Sequence, residues 1–315
     1  MSTRGQFLGP GMASRRTALL GVLGLLASRP ARSDAPARVV LATATPGGGF
    51  PAFGSAFADT IRHADPTLII EPRPSGGSVD NLGLLQAGSV DLGLVQGEYA
   101  YPAFAVADGV TVLAPMYPTP GLFVVPAASP IRSVADLRGR TVVLGTHQSG
   151  LTVMARSALA ASGLDPHHDI RPILLDRAGD GPTLVREGQA DALWGGGLDW
   201  PGFFAMARAP GGARFFGPSE AGIARLAQPG AAMKRLTVPA GSFPGQAEPI
   251  ETVGSWSFVL ARPGFEGDAA DRIARALGRD SSAPTNPKNL IGLVPPERIN
   301  AATAHYLRAA GLMRP

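Results

Sequence analysis

The sequence predicts an α/β fold of two lobes, each a mostly parallel sheet covered by helices, facing each other across a cleft. Three observations predict it. Short apolar runs alternate with segments of helical period from Arg38 to Trp194, which is the signature of parallel strands joined by crossover helices. A small-residue turn joins strand to helix in both series, at Thr43–Phe57 (TATPGGGFPAFGSAF) and at Thr146–Gly150 (THQSG). One stretch also recurs: Leu85–Leu92 (LQAGSVDL) parallels Val185–Ala192 (VREGQADA), each a helix ending at Gly and an Asp opening an apolar strand.

In the first series the spacing predicts strand 38–43, the glycine loop and helix 52–63. Strand 68–71, a PSGGS turn and helix 79–87 with Ser78 as N-cap follow, then strand 90–96. Val110–Ala114 and Leu122–Val125 read as two strands around a Pro-rich stretch. The second series opens on Ser133–Asp136, a capping-box pattern. Strand 140–145 follows, then a helix whose apolar face is Leu151, Met154, Ala155, Ala158 and Leu159, ended by Gly163. Strands 170–175 and 191–194 flank a further helix. Residues 209–250 read as irregular apart from a helix near 220–226. Gly254–Ala261 reads as a strand, 268–277 and 298–310 as helices, and polar 279–290 as a mobile loop.

At 315 residues the chain can hold two lobes, and 45% hydrophobic residues exclude disorder as its main state. Five Arg precede Asp34 with no acid among them, and removing them takes the formal charge from +4 to −1. The remainder has no basic bias, which argues against nucleic acid as a partner. There is no Cys, so disulfides, thiol catalysis and Cys metal sites are excluded. Arg15-Arg16 ahead of the apolar run Ala18–Ala27, with small residues at Ala31, Ser33 and Ala35, reads as a secretory signal peptide over 1–35. The Arg pair matches the twin-arginine pattern, and the expected destination is the periplasm.

The stretches TATPGGGFPAFGSAFA (43–58), PRPSGGSVDNLGLLQAGSVDLGLVQ (72–96), IRSVADLRGRTVVLG (131–145) and HYLRAAGL (305–312) resemble the TAXI family of solute receptors. These serve tripartite ATP-independent periplasmic (TRAP) transporters. The resemblance implies a two-lobed type II periplasmic-binding-protein fold, a small-molecule ligand, no enzymatic activity, no cofactor, and a TRAP-type membrane permease as partner. Lobe 1 is then expected at 37–121 plus 255–315 and lobe 2 at 122–254, with hinges near Pro120 and Gly254. His147-Gln148-Ser149-Gly150-Leu151 departs from the family's glycine-serine-glycine-threonine loop, and Phe50 stands where the family has Tyr.

Ligands of open parallel sheets bind beyond the C-terminal strand ends. The expected ligand-binding residues are therefore Thr45, Gly47, Gly48, Gly49 and Phe50 in the first loop, and Arg73, Ser75, Gly76, Gly77, Ser78 and Asn81 in the second. Gln96, Gln148, Ser149, Arg177 and Trp194 complete the set, with Trp200 as a further wall. Glycines let backbone approach a ligand, and helix starts favour negative charge. Hydroxyls and amides suit carboxylate oxygens, and Arg73 or Arg177 could grip a carboxylate bidentately. The expected ligand is a small organic anion: a dicarboxylate, keto acid or amino acid. Gly47–Ala52 also satisfies G-x-G-x-x-A, with Glu71 downstream. That leaves an exported dinucleotide-dependent oxidoreductase as the rival reading. The five His show no metal spacing, and no Ser–base pair or paired carboxylates stand out.

Overall fold

The structure, a computed structural model, describes residues 37–106 and 109–314; the expected signal peptide lies outside them. In the first half, β1 (Ala37–Ala42), α1 (Gly49–Ala64), β2 (Leu68–Arg73), α2 (Ser78–Gln86), β3 (Leu92–Gln96) and α3 (Gly97–Ala103) alternate as the periodicity predicts. Then β4 (Thr111–Pro126) leads to β5 (Thr141–Thr146), α4 (Gly150–Ala161), β6 (Arg171–Leu175), α5 (Gly181–Arg186) and β7 (Ala192–Gly196). The chain continues through α6 (Pro201–Ala207), β8 (Ala213–Phe216), α7 (Glu220–Leu226), β9 (Lys234–Val238) and β10 (Ile250–Ala261). It closes with α8 (Asp268–Gly278) and α9 (Ala301–Ala309).

The strand order is β2-β1-β3-β10-β4-β7-β5-β6, with β8 on β4 and β9 on β10. β1 is parallel to β2 and β3, and β5 is parallel to β6 and β7. Each half is thus the expected parallel unit, and the two long antiparallel strands β4 and β10 run through both. β4 pairs with β10 up to Pro120, opposite Gly254, and from Gly121 with β7. This is a two-lobed α/β fold.

Each half has its own core. In the first, Phe57 and Ile61 of α1 pack with Val39 and Leu41 of β1 and with Ile273 and Leu277 of α8. In the second, Met154, Ala155, Ala158 and Leu159 of α4 pack on Val142 and Leu144 of β5. Burying one such large side chain stabilises by about 1.5–3 kcal/mol, so each half-sheet is anchored to its helices independently of the other.

Four expectations are corrected. The strands at 110–114 and 122–125 are one, β4, despite Pro115, Pro118 and Pro120. Over Thr111–Pro120 its only strand partner among the described residues is β10, so prolines without an N–H are tolerated there as at a sheet edge. Ser78 is not an N-cap. Gly77, at φ +119°, caps α2 one residue early, which a side-chain-bearing residue resists. Residues 209–250 hold the expected helix, α7, but also the strands β8 and β9 where irregular chain was expected. The 279–290 segment is not a loose loop: buried Asn286 donates to the carbonyls of Leu277, Gly278 and Asp280.

Candidate functional site

A cavity of about 70 Å3 lies where the C-terminal strand ends of both halves meet. The first half contributes Thr45, Gly48, Gly49 and Phe50, then Gly77, Ser78 and Gln96. The second contributes Thr146 and Ser149, the apolar side chains of Leu151, Leu175 and Leu193, and the two indoles of Trp194 and Trp200. Among the described residues no charged side chain lines it.

The two halves touch directly around this cavity. On one side the Gly179 N–H donates to Pro46 O (3.3 Å), the Ala178 N–H to Thr45 Oγ1 (3.2 Å), and Trp200 Nε1 to Gly47 O (3.1 Å). Gly47 has φ +81°, and a Cβ there would collide with the Gly179 backbone. Glycine is required at 47 twice over, by conformation and by approach. On the other side the Val79 N–H donates to Gln148 O at 3.3 Å.

Local structure fixes what each group offers. α1 starts at Gly49 behind Gly48, which has no side-chain cap, so its first-turn N–H groups gain no side-chain acceptor. In α4, Ser149 caps the helix by accepting from Leu151 N at 3.1 Å. Ser78 Oγ, released from capping, accepts the backbone N–H of Gln96 (3.1 Å), tying the α2 start to the end of β3. Each of these hydroxyls, like that of Thr45, is therefore used as an acceptor and keeps a proton to donate. Gln96 is 2% exposed and Trp194 1%. Their donors Nε2 and Nε1 are buried with no partner among the described residues. Buried donors are ordinarily satisfied, so two orphans lining one cavity call for a reason.

Not every expected residue lines the cavity. Arg73 and Arg177 are exposed and outside its wall, and so is Gln148, whose backbone oxygen instead bridges the halves. Ser75 and Gly76 sit at the rim: Ser75 Oγ accepts from Gly77 N and Gly76 N donates to Asp80. Gly47 packs against Gly179 behind the wall. Asn81 is fully buried. Its Nδ2 donates to the carbonyls of Ala42 (3.4 Å), Thr43 (2.8 Å) and Leu94 (2.7 Å), pinning β1 to β3. Glu71 ion-pairs with Arg38 on β2, away from the glycine loop.

Residues 41–280 match the family model described as the NMT1-like family. The chain belongs to the NMT1-like family. Its fold is similar to that of a protein of Bordetella bronchiseptica RB50, with 18% identity over 88% of this chain and 81% of that one, and a TM-score of 0.53. The alkanesulfonate-binding protein SsuA from Xanthomonas axonopodis pv. citri, bound to MOPS, matches at 20% identity over 89% and 86%, with a TM-score of 0.49. The periplasmic aliphatic sulphonate binding protein SsuA from Escherichia coli matches at 25% over 57% of this chain, with a TM-score of 0.42, and the match spans 60% of that protein.

Sequence reasoning missed the apolar half of the wall of this NMT1-like chain. Leu151, Leu175, Leu193 and Ala178 line the cavity, yet apolar residues within helices and strands read as core. One buried acid stands near the junction of the halves. Glu98, at the start of α3, accepts from Ser255 Oγ of β10 (2.9 Å), and its Oε1 is buried without a partner. Burial pushes its carboxyl up to about 7, against the pull of its own backbone N–H and the Ser255 hydroxyl. Burial likewise raises the Tyr117 phenol, helped by the charge of Asp199. Among the described residues no His/Asp/Glu group could hold a metal ion, and no helix is long and apolar enough to cross a membrane.

Proposed function

We propose that this chain is an extracytoplasmic solute receptor that captures a small organic anion, a carboxylate, and delivers it to a membrane permease. One observation carries the reading: a cavity between two half-sheets lined by side chains with hydrogen-bond donors to offer, with no acid, base or cation among its described lining residues. Donors without competing charges suit carboxylate oxygens, and a wall whose hydroxyls have no general base beside them favours a receptor over an enzyme. A 70 Å3 cavity is also far too small for a dinucleotide, and Glu71 faces Arg38 rather than a ribose. The TAXI resemblance names the partner as a TRAP-type permease and the compartment as the periplasm, reached by the signal peptide over 1–35.

The moving bodies are 37–121 plus 255–315 and 122–254. They hinge where β4 passes from β10 to β7 at Pro120–Gly121 and where β10 reaches Gly254. Ligand favours the closed state to the extent that it binds it better than the open one. A thermal-shift screen of carboxylates, amino acids, sugars, polyamines and sulfonates tests the reading. Carboxylates raise the melting temperature if it holds; stabilisation by neutral sugars or polyamines alone refutes the anion. Periplasmic expression should yield a chain beginning near Asp34 or Pro36, and an uncleaved cytoplasmic product refutes the export assignment.

A further inference from the structure

The hydrogen-bonding inventory of the cavity narrows the ligand beyond the word anion. Its hydroxyls are partly engaged: those of Thr45, Ser78 and Ser149 each receive a backbone N–H group and keep the O–H proton as a donor. The donors Gln96 Nε2 and Trp194 Nε1 are buried and unpartnered. The Gln96 amide is oriented by the facing half. Its Oε1 lies over Gly150, 2.9 Å from where a Cβ would stand, at the first turn of α4. A helix start is electropositive and attracts the carbonyl end of an amide, which leaves Nε2 as the free donor.

Resting on the receptor reading, we infer that the cleft selects a compact, singly charged organic oxyanion with no ammonium group, and that Gln96 Nε2 is the specificity-determining donor. An amino acid would bring an ammonium into a wall without a carboxylate, and an unpaired buried cation is strongly disfavoured. Glu98, two residues beyond Gln96, does not line the cavity and is turned onto Ser255. A dicarboxylate would bring a second negative charge without a cation to meet it. Size points the same way: about 70 Å3 is about half the roughly 150 Å3 that accepts benzene, so a compact ligand is favoured over an extended one. Pyruvate, propionate and glycolate are of this class. The apolar wall of Leu151, Leu175 and Leu193 would meet the carbon end while the donors meet the oxygens.

The test is calorimetric titration of the full chain purified from the periplasm with pyruvate, L-alanine, succinate and ethanesulfonate. Pyruvate and L-alanine match in size and differ in the ammonium; ethanesulfonate tells a sulfonate head from a carboxylate. The expected result is that pyruvate or ethanesulfonate binds at least about tenfold more tightly than L-alanine and succinate. Gln96→Ala should weaken that binding about ten- to 150-fold, as expected for a charged hydrogen bond. Gln96→Met, which keeps the buried bulk and removes the donor, should show the same loss of binding with a smaller loss of melting temperature than Gln96→Ala. Gln96→Glu should abolish anion binding. L-alanine or succinate binding as tightly as pyruvate overturns this ligand class and leaves the receptor reading standing. An unaffected affinity in Gln96→Ala overturns the role of Gln96. Binding of none of the four also overturns the class, and the wider thermal-shift screen then decides whether the receptor reading survives.

Discussion

The two halves share a frame, whose third-strand segment (81–98 and 181–198) repeats at an offset of one hundred residues, and they differ where that frame meets the cleft. Asp91 and Asp191 do the same work. Each opens its strand and accepts, through Oδ2, a backbone N–H from the first strand of its own half: Val40 at 3.0 Å and Thr141 at 2.8 Å. Gly88 and Gly188 end the preceding helices at φ +65° and +73°. At the strand tips the equivalence breaks down. Gln96, with its orphan amide, corresponds to Gly196, Glu98 to exposed Leu198, and Asn81 to Gly181. The first half holds its tip with buried polar groups. The second holds its own by close apolar contact, a Cβ at Gly181 standing 2.8 Å from Leu193 Cδ1. The frame is therefore common, and recognition belongs to the positions that do not repeat.

The largest expected effect tests the polar pin. Asn81→Ala strands the carbonyls of Ala42, Thr43 and Leu94 and should cost about 3–4 kcal/mol in urea unfolding. Gly181→Ala, an overpacking change in the matching place, should cost about 1–3 kcal/mol. Equal small losses at both sites would erase the contrast.

Next comes Glu98. Its carboxyl is held near 7 against an ordinary 4.5, so the folded protein keeps a proton that the unfolded chain has released. Stability therefore falls as pH rises through 4.5 to 7, and the full penalty stands above 7. Glu98→Gln should gain up to about 3 kcal/mol at pH 8 and nothing near pH 4. A Tm difference independent of pH would refute the buried, protonated acid.

The shared frame predicts equal effects: Asp91→Ala and Asp191→Ala should each cost about 2 kcal/mol by stranding one strand N–H. Asp91 should be slightly the worse, since Arg262 Nε bonds it at 3.1 Å whereas Arg140 stands 3.8 Å from Asp191. A large cost at one site alone would show that the two motifs are not equivalent. The smallest effect is expected from Arg73→Ala and Arg177→Ala. Both side chains are exposed and outside the cavity wall, so stability and affinity should stay within about 0.5 kcal/mol. A larger loss of binding in either would return an Arg to the site.

These contrasts explain what could be read in the sequence. Strand–turn–helix units, the Gly-terminated helices and the Asp-led strands are local, so periodicity and spacing reveal them. The continuity of β4 was hidden because Pro115, Pro118 and Pro120 signal a break, and only the pairing with β10 shows why they fit. Asn81 looked like a ligand group because its type is polar and its place is a loop end. Three carbonyls converging from β1 and β3 decide otherwise, and no local pattern records that. Gln96 and Trp194 were legible from their strand-end positions, whereas the leucines around them look like core until both halves are assembled.

The central claim, that the two halves open and close on this cavity, has one direct test. A Cβ on Gly48 would lie 3.7 Å from Ala178 Cβ in the facing half, within the span of a disulfide. Gly48 has φ −79°, open to any residue, and the chain has no other Cys to interfere. Small-angle scattering of the ligand-free Gly48→Cys/Ala178→Cys variant, reduced and then oxidised, measures the motion. The account predicts a larger radius of gyration when reduced, falling when the cross-link forms. Superimposable profiles from fully cross-linked and fully reduced protein would contradict it.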